Sequence, residues 1–206
     1  MTTTTPAPSW PLSARMFTTL MHQGPVSSSV HSFSLESMRS MRPATRVGTP
    51  AEVGAAAPDF SIERTDGRTA GLADFAGRPL VLYLARAVTP TLVCPLCTPA
   101  LTELNEIADD FEQAGVGLAV VFSIETAETA AIAADAGLRY PLWSDPSWDL
   151  FRAYGTGHGL YAPRQAWAVV DPDGVLRWTW RLSEAADGET LPLPSSVLAI
   201  ARDLAT

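Results

Sequence analysis

Leu80-Val81-Leu82-Tyr83-Leu84, followed by Cys94-Pro95-Leu96-Cys97 and then by Leu101, Leu104, Ile107, Ala108 and Phe111, decides how this chain is read. The first run is continuously apolar and of strand length, the pattern of a strand buried on both faces in the middle of a helix-covered sheet. The apolar residues after the cysteines fall on one face of a helix, which Gly115 closes in the left-handed conformation. Cys94 therefore sits where a buried strand hands over to a helix start. Unpaired N–H groups and the positive end of the helix dipole favour thiolate there over thiol. Pro95 suits a first helical turn, whereas Pro99 offers a later start, with Thr98 as N-cap and Cys94 in a preceding tight turn.

Cys97 lies three residues on, close enough for Cα atoms to approach ~5.5 Å and for a disulfide to close. The thiol nearer the helix start is the expected attacker, Cys94, and the better-buried one, Cys97, the expected resolver. Inert buried cysteines or half of a zinc site are the competing readings. Zinc wants four ligands, and beyond one cysteine pair the chain offers only His22, His31 and His158, so neither a metal nor another cofactor is expected.

Around this centre the chain reads as β-β-α-β-α-β-β-α. Ala57-Pro58-Asp59-Phe60-Ser61-Ile62 leads into a hairpin turned by Asp66-Gly67, Leu118 to Ser123 forms a second buried strand, and residues 126–136 form an alanine-rich helix ended by Gly137. Tyr140 to Trp143 is extended, and residues 147–154 make a turn or two of helix. A second hairpin turns at Asp171-Pro172-Asp173-Gly174, and residues 195–204 close the chain as a helix capped by Ser195 or Ser196. Trp143, Trp148, Trp167, Trp178 and Trp180 read as core and sheet-face packing, and His158 as a solvated loop residue.

The 206 residues suit one domain. Residues 1–48 are rich in Ser, Thr, Pro and Met without apolar periodicity, and read as a disordered tail; Met16, Met21, Met38 and Met41 leave a mis-assigned start open. The domain is then 49–206. The tail carries four arginines against Glu36, so the net charge of −8 becomes −11 over residues 49–206, which argues against nucleic acid as a partner. No run of eighteen apolar residues is present, so no membrane partner is expected. One Cys-x-x-Cys in an otherwise cysteine-free chain points to redox chemistry rather than a secreted scaffold, and the expected location is cytoplasmic.

In order along residues 53–204, several segments resemble the peroxiredoxin branch of the thioredoxin superfamily, the alkyl hydroperoxide reductase and thiol-specific antioxidant type. They are Ala57-Pro58-Asp59-Phe60, Asp66-Gly67, Leu72 to Pro79, Thr91-Leu92-Val93-Cys94-Pro95, Tyr140 to Pro146, Ala153-Tyr154-Gly155 and Val169 to Gly174. The resemblance implies a thioredoxin-like α/β fold: a central mixed sheet flanked by helices, with an N-terminal hairpin extension. It also implies a thiol-dependent peroxidase in which the thiolate attacks a peroxide, becomes a sulfenic acid and is resolved to a disulfide, with a thioredoxin-like electron donor and room for a homodimer. Thr91 would hold thiolate and peroxide, and an arginine, Arg164 or Arg86, would stabilise the developing charge.

The family pattern Pro-x-x-x-Thr-x-x-Cys has Ala87 at its proline, and its arginine position, counted back from Asp171, is Gln165, so Arg164 fits with a shift of one. Taking Cys97 as the reactive thiol restores Pro90 but puts Cys94 at the threonine. Cys-Pro-Leu-Cys also resembles the dithiols of glutaredoxin-like and disulfide-forming proteins, with Pro163 near their proline that faces the dithiol. A dithiol–disulfide oxidoreductase is thus the second reading, and a non-catalytic thioredoxin-fold binding protein the third.

Overall fold

The computed structural model describes residues 50–89, 92–157, 163–182 and 191–205. Thr91, His158 and the proposed tail fall outside these residues. Asp66-Gly67 turns the hairpin of β1 (Ser61–Arg64) and β2 (Thr69–Gly71), with Gly67 at φ 78° and the Asp66 carboxylate accepting the Arg68 N–H. A 3-10 turn (Leu72–Phe75) leads to β3 (Leu80–Ala85), and two short strands, β4 (Ala87–Thr89) and β5 (Leu92–Val93), precede α1 (Thr98–Glu106) and α2 (Ala108–Gln113). Then come β6 (Gly117–Phe122), α3 (Thr126–Ala136), β7 (Leu142–Ser144), α4 (Asp149–Ala153), β8 (Ala166–Val170), β9 (Leu176–Arg181) and α5 (Pro194–Arg202).

Seven strands form one mixed sheet in the order β2-β1-β7-β6-β3-β8-β9. β3 runs parallel to β6 and antiparallel to β8, so both of its edges are paired and it is the central strand that its apolar run demands. Its side chains alternate between two cores. Leu80, Leu82 and Leu84 face Phe60, Phe75, Trp143 and Phe151, whereas Val81, Tyr83 and Ala85 face Leu101, Leu104, Ile132 and Val197 of the helical layer. Gly117 lets Phe75 lie on the β6 backbone, because a Cβ there would meet the ring at 2.3 Å. All five tryptophans named from the sequence pack on these cores.

Several boundaries differ from the sequence reading. The helix expected from Leu101 to Phe111 is two helices, divided at Ile107. The N-cap of α1 is Cys97, not Thr98, and the N-cap of α5 is Leu193, with no side-chain cap from Ser195 or Ser196. In both places a proline at the helix start supplies the preset φ that the expected cap would otherwise have helped to fix. The β4–β5 ribbon was not legible as structure.

Candidate active site

The C-terminal end of β3 carries the two cysteines. From Arg86 the chain leaves the sheet as β4 and returns as β5, with Ala87 opposite Val93, and the Cys94 N–H closes the ribbon on the Arg86 carbonyl at 3.1 Å. Residues 94–97 then make a turn closed by the Cys97 N–H on the Cys94 carbonyl at 2.8 Å, and α1 begins one residue later. The helix starts at Thr98, one residue ahead of the later start offered by Pro99, and Cys94 lies in the preceding turn.

Both cysteines are free thiols on the helical side of the sheet. Cys94 keeps 6% of its surface exposed beside exposed Pro95 and Leu96, and Cys97 keeps none, so of the two residues only the first reaches the surface. Their acidities diverge. A hydrogen bond from Cys97 does most to lower the Cys94 pKa, against the opposing effect of burial, with help from the Leu96 N–H, the Arg86 charge and the Cys97 N–H, and brings it to about 6. Roughly ten thiolates then stand for each thiol at pH 7, where an ordinary cysteine is only a few per cent ionised. Burial, reinforced by the neighbouring Cys94, pushes the Cys97 thiol well up.

Behind Cys97 lies a polar cluster set into hydrocarbon. The Cys97 Sγ donates to Gln165 Oε1 at 3.1 Å and accepts the Arg86 main-chain N–H at 3.3 Å. Tyr83 donates its hydroxyl to the same Gln165 oxygen at 3.0 Å, and its ring stacks on Trp167 with centroids 4.0 Å apart. Sequence reasoning missed Tyr83 as part of the site, and met Gln165 only as the occupant of an arginine position. The available signal was one hydroxyl inside an otherwise aliphatic central strand, since a buried hydroxyl must find a partner.

Of the other expected residues, Arg86 is brought to the cysteines, as a half-buried side chain whose charge acts on Cys94. Arg164 is half-buried just ahead of β8, and its N–H bonds the Thr156 carbonyl at 2.9 Å. Pro163 is buried beside it, while its peptide bond to Ala162 involves a residue outside those described. Pro95 lies exposed in the turn between the cysteines. Among the described residues no group of three or more His, Cys, Asp or Glu is placed to hold a metal, and no helix is long and apolar enough to cross a membrane.

Residues 53–179 match the AhpC/TSA family model. A putative peroxiredoxin of Mycobacterium tuberculosis is 32% identical over 132 residues, covering 64% of this chain and 78% of that protein. The chloroplastic peroxiredoxin Q of Oryza sativa subsp. japonica is 27% identical over 149 residues, covering 70% and 67%. In fold the chain is similar to peroxiredoxin Q of Xanthomonas campestris, with a TM-score of 0.60 at 24% identity over 76% of this chain and 98% of that one. It is also similar in fold to a putative protein disulfide isomerase of Bacteroides thetaiotaomicron, with a TM-score of 0.57 at 23% identity over 78% and 94%. At such identities the structures speak for the thioredoxin-like fold alone, and the family match separates peroxidase from disulfide exchange. With a family model spanning most of the described domain, the chain belongs to the AhpC/TSA family, the peroxiredoxins, and is a thiol-dependent peroxidase.

Proposed function

We propose that Cys94 is the peroxide-attacking thiolate and Cys97 the thiol that resolves it. The observation that carries the assignment is the asymmetry of the pair: Cys94 reaches the surface and has a pKa near 6, and Cys97 is sealed and held as a thiol. In the first step the Cys94 sulfur attacks the peroxide O–O bond. An S–O bond forms, the O–O bond breaks, and the departing oxygen takes a proton to leave as water or an alcohol. The sulfur is oxidised by two electrons as the peroxide is reduced. Arg86 is assigned the electrostatic role, since its charge already acts on Cys94, and its Nε is buried with no partner among the described residues, a donor in reserve for the developing oxyanion. The resulting Cys94–Cys97 disulfide is returned to two thiols by a thioredoxin-like donor.

The test is single-turnover oxidation by hydrogen peroxide. Cys94→Ser should remove at least about a thousandfold of the rate, since a serine hydroxyl is not ionised at neutral pH. Cys97→Ser should react and stop at a trappable sulfenic acid. Peroxide reduction surviving in Cys94→Ser overturns the assignment.

A further inference from the structure

The attack on peroxide as proposed assigns no role to Tyr83 or Gln165, yet they form the polar cluster behind the second sulfur. Resting on the reading of Cys97 as the resolving thiol, we propose that Gln165 is the positioning residue of disulfide closure: its carboxamide oxygen, 3.1 Å from the Cys97 sulfur and held from behind by Tyr83, fixes that sulfur in place for Cys94.

Three observations support this assignment. Gln165 is only 2% exposed, next to the start of β8, with Ala166 paired to Leu84 near the end of the central strand. Its Oε1 accepts from both the Cys97 thiol and the Tyr83 hydroxyl, and the stacking of Tyr83 on Trp167 fixes the second donor, so the oxygen is held from behind. Its Nε2 is buried without a hydrogen-bond partner among the described residues. A buried orphan donor costs about 1–3 kcal/mol, which sets against the partner that Oε1 provides for the buried Tyr83 hydroxyl and leaves the contact with Cys97 as the feature peculiar to this amide.

The chemistry of the alternatives also favours a neutral acceptor. An arginine at 165 would only donate and would draw the proton off Cys97, setting a second thiolate against Cys94. An ionised carboxylate would disfavour the Cys94 thiolate. An amide oxygen does neither; it holds the Cys97 sulfur without adding a charge beside Cys94. Closure then balances within the pair. The Cys97 sulfur attacks the Cys94 sulfenic acid, an S–S bond forms as the S–O bond breaks, and the Cys97 proton leaves with the hydroxyl as water. The two electrons lost by Cys97 reduce the sulfenic sulfur, and no further oxidant is needed.

The experiment mixes the full chain rapidly with hydrogen peroxide and follows both steps, Cys94 sulfenic acid by dimedone trapping and the disulfide by acid-quenched alkylation and mass spectrometry. In Gln165→Met the ratio of the closure rate to the oxidation rate should fall about tenfold or more, the scale expected when a reacting group loses its alignment. Gln165→Glu should recover that ratio to within about threefold, because burial favours the neutral acid, which keeps a carbonyl oxygen at the same reach. A ratio unchanged in Gln165→Met overturns the proposal, and so does a Glu variant no better than Met. Should the Met variant not fold, Tyr83→Phe replaces it: loss of the hydroxyl that steadies Gln165 should lower the ratio about twofold to fivefold, and an unchanged ratio again overturns the proposal. Failure of the underlying reading looks different: no sulfenic acid would form at Cys94 in Cys97→Ser.

Discussion

The two faces of β3 are made from one strand and are put to different uses. Leu80, Leu82 and Leu84 enter a core whose partners on this strand's side are Phe60, Phe75, Trp143 and Phe151, and their work is burial. Val81, Tyr83 and Ala85 start the opposite core in the same way, but that core ends in a hydroxyl, an amide and two sulfurs at the end of the strand. Reactivity here is a polar inclusion within hydrocarbon. It keeps Cys97 neutral by burial, and through Cys97 it makes Cys94 acidic.

The comparison breaks first under Leu82→Ala, which should destabilise the fold by about 2–5 kcal/mol in urea unfolding while the Cys94 thiolate titrates as before in the molecules that remain folded. A displaced thiolate titration would show the two faces to be coupled. Next in size is Cys97→Ala, which removes the largest influence on Cys94. The ultraviolet thiolate absorbance should move from a midpoint near 6 upward by about one unit or more, about 1.4 kcal/mol per unit.

In the wild type the rate with peroxide should rise through pH 6 and level off above about pH 7, since the reacting form is the thiolate. The depressed Cys94 pKa has a stability consequence of matching sign: its contribution is complete above the unfolded thiol range and is lost as the pH falls through about 6. Tyr83→Phe sharpens the contrast further. Deleting one buried hydrogen bond should cost about 1 kcal/mol, well below the Leu82 truncation only one residue away on the opposite face. The smallest effect belongs to Arg86→Gln. Its charge ranks below the Cys97 and Leu96 hydrogen bonds, so the Cys94 midpoint should rise by a fraction of a unit, read from the same absorbance.

Much of this was legible in the sequence because it depends on local pattern. The unbroken run from Leu80 to Leu84 announced a central strand, Asp66-Gly67 and Asp171 to Gly174 announced hairpins, and Gly115 and Gly137 announced helix ends at φ 66° and 61°. The cysteine spacing and its place after the strand located the dithiol. What failed was fine detail. The break at Ile107 and the caps at Cys97 and Leu193 were set by packing and by neighbouring prolines, and strands of three and two residues either side of Pro90-Thr91 are too short to show a period.

Residue order by itself determined the strands of the main sheet, the hairpin turns and the dithiol, since hydrophobic periodicity and backbone freedom act between near neighbours. How residue 165 meets residues 83 and 97 was decided only when β8 folded back antiparallel to β3, and Arg86 was brought to Cys94 by the β4–β5 ribbon. Burial and hydrogen bonding between segments about seventy to eighty residues apart depend on where the chain returns in space, and no local pattern records that.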